Sequence, residues 1–281
     1  MSNEHYINFS EAELKEIEQK EMYVYRIFPF DRFIDLIRPS GTNALVIPET
    51  WDDTYENPFK EMVTDTDTNT QLYGSISNHD PEKRFPRTYA QCWSTQKESD
   101  AMWRIYSEDK KGVLIKARVD ILYASLQEFL YSQREGRQPI VDMKQHLFIG
   151  KVKYLPEPEI RDLFEDSAFI KSALLDLRKG AETLLYKRDS FEHENEVRVI
   201  LINHDLPGDF DKNSLLVKIY SFTIEAKALI KEIILDPRLK KEAYERQKAI
   251  IEAIGYKGTI SKSSIYDTPK FVLQTSGIIP K

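Results

Sequence analysis

Three groups of side chains in this sequence have the types and spacing to do chemistry. The first is Phe191-Glu192-His193-Glu194-Asn195-Glu196-Val197-Arg198. Read as a strand entered from a loop, its period of two puts Val197, Val199 and Leu201 on one face and Glu194, Glu196 and Arg198 on the other. Carboxylates this close repel, so at least one holds its proton more tightly unless a cation or ligand lies between them. Arg198 can supply that cation. An exposed, charge-paired strand face has the same pattern. The second group, Trp51-Asp52-Asp53-Thr54-Tyr55-Glu56-Asn57-Pro58-Phe59, interleaves aromatics with acids, as either a ligand-facing loop or an Asx-type turn anchored by Trp51 and Phe59. The third is Cys92-Trp93-Ser94-Thr95 with Met102-Trp103-Arg104-Ile105-Tyr106, whose aromatics read as core or as a platform for stacking a planar ligand. Cys92 reads as a small core residue, because no His stands near it in sequence to activate a thiolate.

Other chemistries lack their signatures. The chain has no glycine-rich phosphate loop, no Gly-x-Ser-x-Gly elbow and no His-Glu-x-x-His, which removes the usual marks of P-loop hydrolysis, serine hydrolases and zincins. His5, His79, His146, His193 and His204 do not sit at metal-ligand spacing, except that His193 lies among Glu192, Glu194 and Glu196. No metal is predicted. With 40 basic and 46 acidic side chains in 281 residues, no basic footprint for wrapping a polyanion is visible. A hydrophobic content of 41% is enough to bury a core, and the single cysteine excludes a disulfide scaffold. The N-terminal residues carry no secretory pattern and the apolar runs are far short of the ~20 residues a bilayer span needs. The expectation is a cytoplasmic protein with no membrane partner.

The elements that must position these groups follow from local pattern. Ser10 to Glu13 has the form of a capping box, so residues 1–21 are expected as an N-terminal helical extension and 22–281 as one α+β domain. Strands are expected at 23–27, 43–47, 89–94, 112–117, 151–154, 195–202, 215–220 and 232–235, in a central, largely antiparallel mixed sheet flanked by helices. Helices are expected after Pro29, after a Ser99 cap, over 119–131 and over about 240–254. Residues 159–187, rich in helix formers, are expected as one long helix or two broken near Gly180. Thr64 to Thr70 reads as a loop.

Taken in order, these groups resemble the bacterial domain-of-unknown-function family 2971. That family has a Tyr-Arg strand, an aromatic-Asn-Asp-Pro-Phe-Glu loop, Cys-aromatic-Ser, a Met-Trp-x-x-Tyr helix followed by Gly-Val, and a Trp-x-x-Glu-x-Glu-x-Arg strand. The counterparts are Tyr25-Arg26, Trp51 to Glu56, Cys92-Trp93-Ser94, Met102 to Tyr106 with Gly112-Val113, and Phe191 to Arg198, over roughly residues 22–265. Asp52, Thr54 and Phe191 depart from the usual Asn, Pro and Trp. A second resemblance is to ADP-ribosyltransferases of the Arg-Ser-Glu type, with an Arg on a first strand, aromatic-Ser-Thr on a second and Glu-x-Glu on a third. Arg26, Trp93-Ser94-Thr95 and Glu194-Asn195-Glu196 stand in that order.

This second resemblance implies that NAD is the substrate. Arg26 would grip its pyrophosphate, Ser94 would order the strand at the nicotinamide ribose, and Glu196 would hold the ribose hydroxyl as an oxocarbenium-like centre develops, with Glu194 helping to orient the acceptor. Tyr25, Trp103 and Tyr106 would complete the binding site, and Trp51, Asp53, Glu56, Trp93 and Arg198 form a further candidate pocket. The reading is an NAD-consuming transferase or glycohydrolase, as a toxin or defence effector, that binds a small nucleotide and modifies a target the sequence does not name. Two other readings compete: a non-catalytic ligand-sensing or protein-interaction domain, and a metal-dependent nuclease using Asp52, Asp53, Glu56, Glu194 and Glu196.

Overall fold

The computed structural model describes residues 3–51, 53–56, 87–132, 146–203 and 218–269. Thr64 to Thr70, Asn57 to Phe59, Asp52 and the start of the strand expected at 215 lie outside them. The described residues build a ten-stranded mixed sheet. Along its main path run β1 (Tyr6–Ile7), β6 (Leu147–Lys151), β9 (Glu196–Asn203), β4 (Arg87–Ser94), β2 (Tyr23–Phe28), β5 (Val113–Arg118), β11 (Ile230–Leu235) and β12 (Thr259–Lys262). A side branch pairs β3 (Thr42–Val46) with β4 and with β10 (Ile219–Thr223). The outer strands β1 and β12 pair parallel and the interior ladders antiparallel, which is the largely antiparallel sheet the sequence predicts.

Alternation of side chains sorts the two faces. Val24, Phe28, Tyr89, Trp93, Val197, Val199 and Leu201 pack on one side with Ile17, Phe33, Leu36 and Leu126 from the helices α1 (Glu11–Glu18), α2 (Phe30–Ile37) and α4 (Val119–Ser132). On the opposite side Ala90, Ile200 and Ile202 meet Phe148, Leu184 and Leu185. A small third cluster joins Ile27, Leu114 and Ile234 to Trp103 of α3 (Asp100–Tyr106). Ser10 forms the expected capping box with Glu13, and Ser99 accepts from the Met102 amide as the cap of α3.

The stretch expected as one long helix, or two broken near Gly180, is three. These are α5 (Glu157–Glu165), α6 (Ser167–Leu175) and α7 (Leu177–Glu182). The breaks fall at Asp166 and Asp176, whose carboxylates accept from the amides of Ala168 and Lys179 and so start new helices instead of continuing the old one. Gly180 lies inside α7, where a Cβ would stand 3.1 Å from the Ala173 carbonyl oxygen. The helix then tightens over Thr183–Leu185 and gives way to a strand, β8 (Tyr186–Arg188), paired parallel with β7 (Lys153–Leu155). Val152 separates β6 from β7, so the strand expected at 151–154 is divided.

One further difference bears on the chemistry. Glu194 is not on the strand: residues Asp189–Glu194 form a 3-10 turn, and Asn195 adopts φ 45° and ψ 53° before β9 begins at Glu196. Asn tolerates this left-handed conformation better than most residues, which lets the chain reverse within one residue and bring Glu194 back beside Glu196.

Candidate functional site

The strand ladders place the separated motifs at one level. Tyr25 of β2 is the register partner of Ser94 of β4, and Ser94 is the register partner of Glu196 of β9. Tyr25 and Ser94 are the single β2–β4 pair, so the two strands part beyond it. In that opening Arg26 donates through Nη1 to the Cys92 carbonyl oxygen, with its guanidinium 5.2 Å from the Phe28 ring. Its buried Nε has no hydrogen-bond partner among the described residues. Ser94, 2% exposed, donates to the Glu194 carbonyl oxygen at 2.6 Å and accepts from the Gln96 amide at 3.0 Å. It thereby ties the end of β4 to the turn before β9. Tyr25, Arg26 and Ser94 line a shallow recess with about 10 Å³ of free interior, room for roughly one water, with Ile27, Leu114 and Met102 as its apolar wall and Gln96, Lys97 and Glu98 at its rim.

Next to this level lies a buried cluster of charge. Lys187 Nζ stands 2.9 Å from Glu56 Oε1, 2.5 Å from Glu194 Oε2 and 2.8 Å from Glu196 Oε1. Arg198, fully buried, donates from Nε to Glu196 Oε2 and from Nη2 to Glu56 Oε2, each at 2.6 Å, and from Nη1 to the Leu184 carbonyl oxygen at 2.7 Å. Two phenols close the cluster: the Tyr106 hydroxyl donates to Glu194 Oε1 at 3.0 Å, and the Tyr154 hydroxyl accepts from the Glu196 amide at 2.8 Å. The acids of the aromatic-acidic loop and of Glu-x-Glu therefore converge, and the Lys187 ammonium occupies the point where they meet.

A short segment of chain fastens over the cluster. Trp51 lies 4.4 Å from the Arg198 guanidinium. Asp53 pairs with Arg188 Nη2 at 2.9 Å, and the same guanidinium sits between the rings of Tyr55, at 4.8 Å, and Phe191, at 5.4 Å. Glu56 then reaches inward. Of the residues singled out by sequence, Glu56, Glu194, Glu196, Arg198, Tyr106 and Trp51 are brought together here, with Asp53 anchoring their edge. Trp93 and Trp103 are not. Trp93 packs into the larger core on the other face and donates to Gln91 at 2.9 Å, while Trp103, fully buried, donates to Glu98 at 2.9 Å. Lys187, Arg188 and Tyr154 were missed because their stretches read as a helix end and an isolated short strand. The two Asp caps were the signal that the helical run stops early.

Burial and mutual charge set the protonation of this cluster. Burial raises the Glu194 carboxyl to about 7, helped by a hydrogen bond to Glu196 and by its charge and opposed by Lys187. Burial also works against ionised Glu196, yet Arg198, the Glu194 hydrogen bond and Lys187 outweigh it and hold Glu196 well below the usual carboxylate range. The pair thus has one firmly ionised member and one that exchanges a proton near neutrality. Tyr106 is held in its neutral form, first by burial and then by Glu194 and Glu196. The Cys92 thiol is pushed up to about 12, chiefly by burial, so it is no nucleophile. Among the described residues no group of His, Cys, Asp and Glu is arranged to hold a metal ion, and no helix is long and apolar enough to cross a membrane.

Residues 102–199 match the family model described as protein of unknown function (DUF2971), so the resemblance read from the sequence is found over that stretch. No curated protein matches the chain. Solved structures similar to it include Thermus sp. 2.9 DarT in complex with NAD+, at 8% identity over 86% of this chain and 95% of that one with a TM-score of 0.32. The same protein in complex with ADP-ribosylated ssDNA is similar at 9% identity over 86% and 94%, with a TM-score of 0.33. Likeness at this level transfers no residue role, and the roles considered below come from this chain's own side chains.

Proposed function

We propose that this chain consumes NAD at the level where β2, β4 and β9 meet, as an ADP-ribosyltransferase or NAD glycohydrolase. One observation carries the reading. Tyr25, Ser94 and Glu196, far apart in sequence, fall into one register across three adjacent strands, and Arg26, next to Tyr25 and paired with Ile115, lines one recess with Tyr25 and Ser94. As it stands the recess has about 10 Å³ of free interior, against roughly 300–1,000 Å³ for a ligand site, so the dinucleotide enters only as the side chains at the rim move aside. The unpartnered buried Nε of Arg26 is a donor whose desolvation is uncompensated until an anion such as a pyrophosphate oxygen accepts from it.

In the reaction the bond between nicotinamide nitrogen and ribose C1′ breaks, and its electron pair leaves with neutral nicotinamide. Positive charge develops on the ribose. Glu196, held ionised by Arg198 and Lys187, stabilises that charge and orients the ribose hydroxyls. An acceptor hydroxyl or amine then bonds to C1′ and gives up its proton to Glu194, whose carboxyl titrates near neutrality. With water as acceptor the outcome is hydrolysis. Such an activity depletes or redirects a cytoplasmic metabolite, the action of a toxin or defence effector.

The test is nicotinamide release by purified protein, alone and with cell lysate or single-stranded DNA as acceptor. Glu196→Gln keeps the shape and removes the charge, so release falls by about two to three orders of magnitude while NAD still raises the melting temperature. Growth arrest on induction of the wild type, absent with Glu196→Gln, would follow from the same chemistry. A second reading, a ligand-sensing domain without turnover, is favoured by one fact: both Glu196 oxygens are already paired and the residue is 5% exposed. Binding of NAD with no nicotinamide release from the wild type selects that reading. Neither binding nor release leaves the cluster as structure.

A further inference from the structure

Glu56 and Glu196 hold the same two cations in the same way. Each carboxylate gives one oxygen to Lys187, at 2.9 and 2.8 Å, and the other to Arg198, at 2.6 Å in both cases. These four side chains close a ring of alternating charge. Glu194 stands outside it, reaching Lys187 at 2.5 Å and the Tyr106 hydroxyl at 3.0 Å. Three carboxylates thus face two cations, and the Glu56 charge offsets at Glu194 part of the attraction that Lys187 exerts there.

Glu56 is also delivered by its own fastenings. Beyond the Trp51 and Asp53 contacts, the Tyr55 hydroxyl donates to Glu157 at 2.5 Å and accepts from Arg161 at 3.2 Å, which ties the segment to α5. Its carboxylate is held between the two cations from a segment separate from the turn that carries Glu194 and the strand that carries Glu196.

We propose that Glu56 is a positioning residue of this site: through Lys187 and Arg198 it holds Glu196 in place and sets how much net positive charge faces Glu194. The proposal rests on the NAD-consuming reading for what the pair does, and on the ring alone for how the pair is charged. The groups that face Glu194 are consistent with it. Lys187 comes from β8, Glu196 from β9, Tyr106 from α3 and Tyr154 from β7, with Arg198 behind Glu196 and Glu56 behind Lys187. Glu56 is the acid among them that neutralises Lys187 without belonging to the pair.

The experiment follows isotope-labelled glutamate carboxyls by NMR from about pH 5 to about pH 9 in the wild type, Glu56→Gln and Glu56→Asp, with nicotinamide release over the same range. In Glu56→Gln more of the Lys187 charge falls to Glu194, and its midpoint, about 7 in the wild type, drops by roughly one unit. The rise of nicotinamide release with pH moves with it, in kcat and not in KM for NAD. Glu56→Asp keeps the charge and withdraws it by one methylene, so its midpoint lies between the other two, and it carries the test if Glu56→Gln does not fold. A midpoint within about 0.2 unit of the wild type in the folded variant overturns the proposal, because a purely structural residue would change stability alone. The carboxyl titration needs no turnover. A shifted midpoint in a chain that releases no nicotinamide refutes the NAD reading and keeps Glu56 in its role, and release with an unshifted midpoint does the reverse.

Discussion

Replacing Lys187 by Met tests the charge cluster most directly. Methionine keeps the length and removes the ammonium, leaving three carboxylates that lose a contact at 2.5 to 2.9 Å. At an effective dielectric of about 20, each such contact is worth roughly 6 kcal/mol of gross attraction. Desolvation of the ions and repulsion among the carboxylates cancel most of that sum. Measured losses on breaking a buried pair are about 3–5 kcal/mol, which is the cost expected here. For a chain of this size that lowers the melting temperature by roughly 5–9 °C. The cost also depends on pH, in a direction fixed by Glu194. Its folded pKa, about 7, is raised above its unfolded value, so below about 7 the wild type keeps the proton there and asks less of Lys187. Above about 7 the wild type ionises Glu194 against the ammonium, and the variant cannot. The penalty is therefore smaller at about pH 5 than at about pH 8.5. Adding Glu56→Gln removes one charge of each sign, and the double variant recovers about 1 kcal/mol or more relative to Lys187→Met alone. Urea and thermal unfolding at the two pH values measure all three quantities. A cost below about 1 kcal/mol at the higher pH, equal costs at both, or a double variant that merely sums the singles would refute the reasoning.

Arg26→Ala weakens NAD binding more than turnover, because a pyrophosphate is present equally in ground and transition states; a KM for nicotinamide release raised about tenfold with kcat nearly unchanged is the expected result. Gly150→Ala would put a Cβ 2.2 Å from Leu185 Cδ1 in the core under Arg198, so it destabilises the fold by about 1–3 kcal/mol in urea unfolding and slows nicotinamide release as the Leu184–Arg198 contact shifts. An unchanged midpoint in urea would show that Leu185 yields freely.

Much of the sheet was legible because its strands alternate. Val197, Val199 and Leu201 declare one buried face of β9, and the β-formers around Tyr25, Trp93 and Leu114 declare three more strands within a residue or two of their ends. What failed was the reading of 159–187. Its composition favours helix throughout, and propensity alone has no way to say that Lys187 and Arg188 leave the helical run and turn into a short strand beside β7. The Asp166 and Asp176 caps carried that information, but a capping Asp is equally at home on a helix surface. Glu194 failed for a related reason. A period of two assigns it to the strand, whereas one left-handed Asn does the same work by a turn, and the side chain still arrives beside Glu196. The spacing of the charges was read correctly while the backbone between them was not.

That outcome changes what Glu-x-Glu-x-Arg can mean. Read as a strand face, two acids beside one arginine ask for a partner and accept an exposed, charge-paired surface as an answer. In the fold they are joined by Glu56 and Lys187, and three carboxylates share two cations in a site that water scarcely reaches. A buried set with that imbalance has to take up a proton or a cationic ligand, because an unneutralised carboxylate in such surroundings is too costly to keep. The proton goes to Glu194, the member farthest from Arg198 and bonded to the Tyr106 phenol. Glu194 also receives the Ser94 hydroxyl on its backbone, at the edge of the recess that Arg26 lines. A cluster whose sole task was to hold the loop to the sheet would be satisfied by one acid fewer. The surplus acid, and the Arg26 Nε that has no partner among the described residues, are the two features the proposed NAD chemistry would account for, and nicotinamide release decides whether it does.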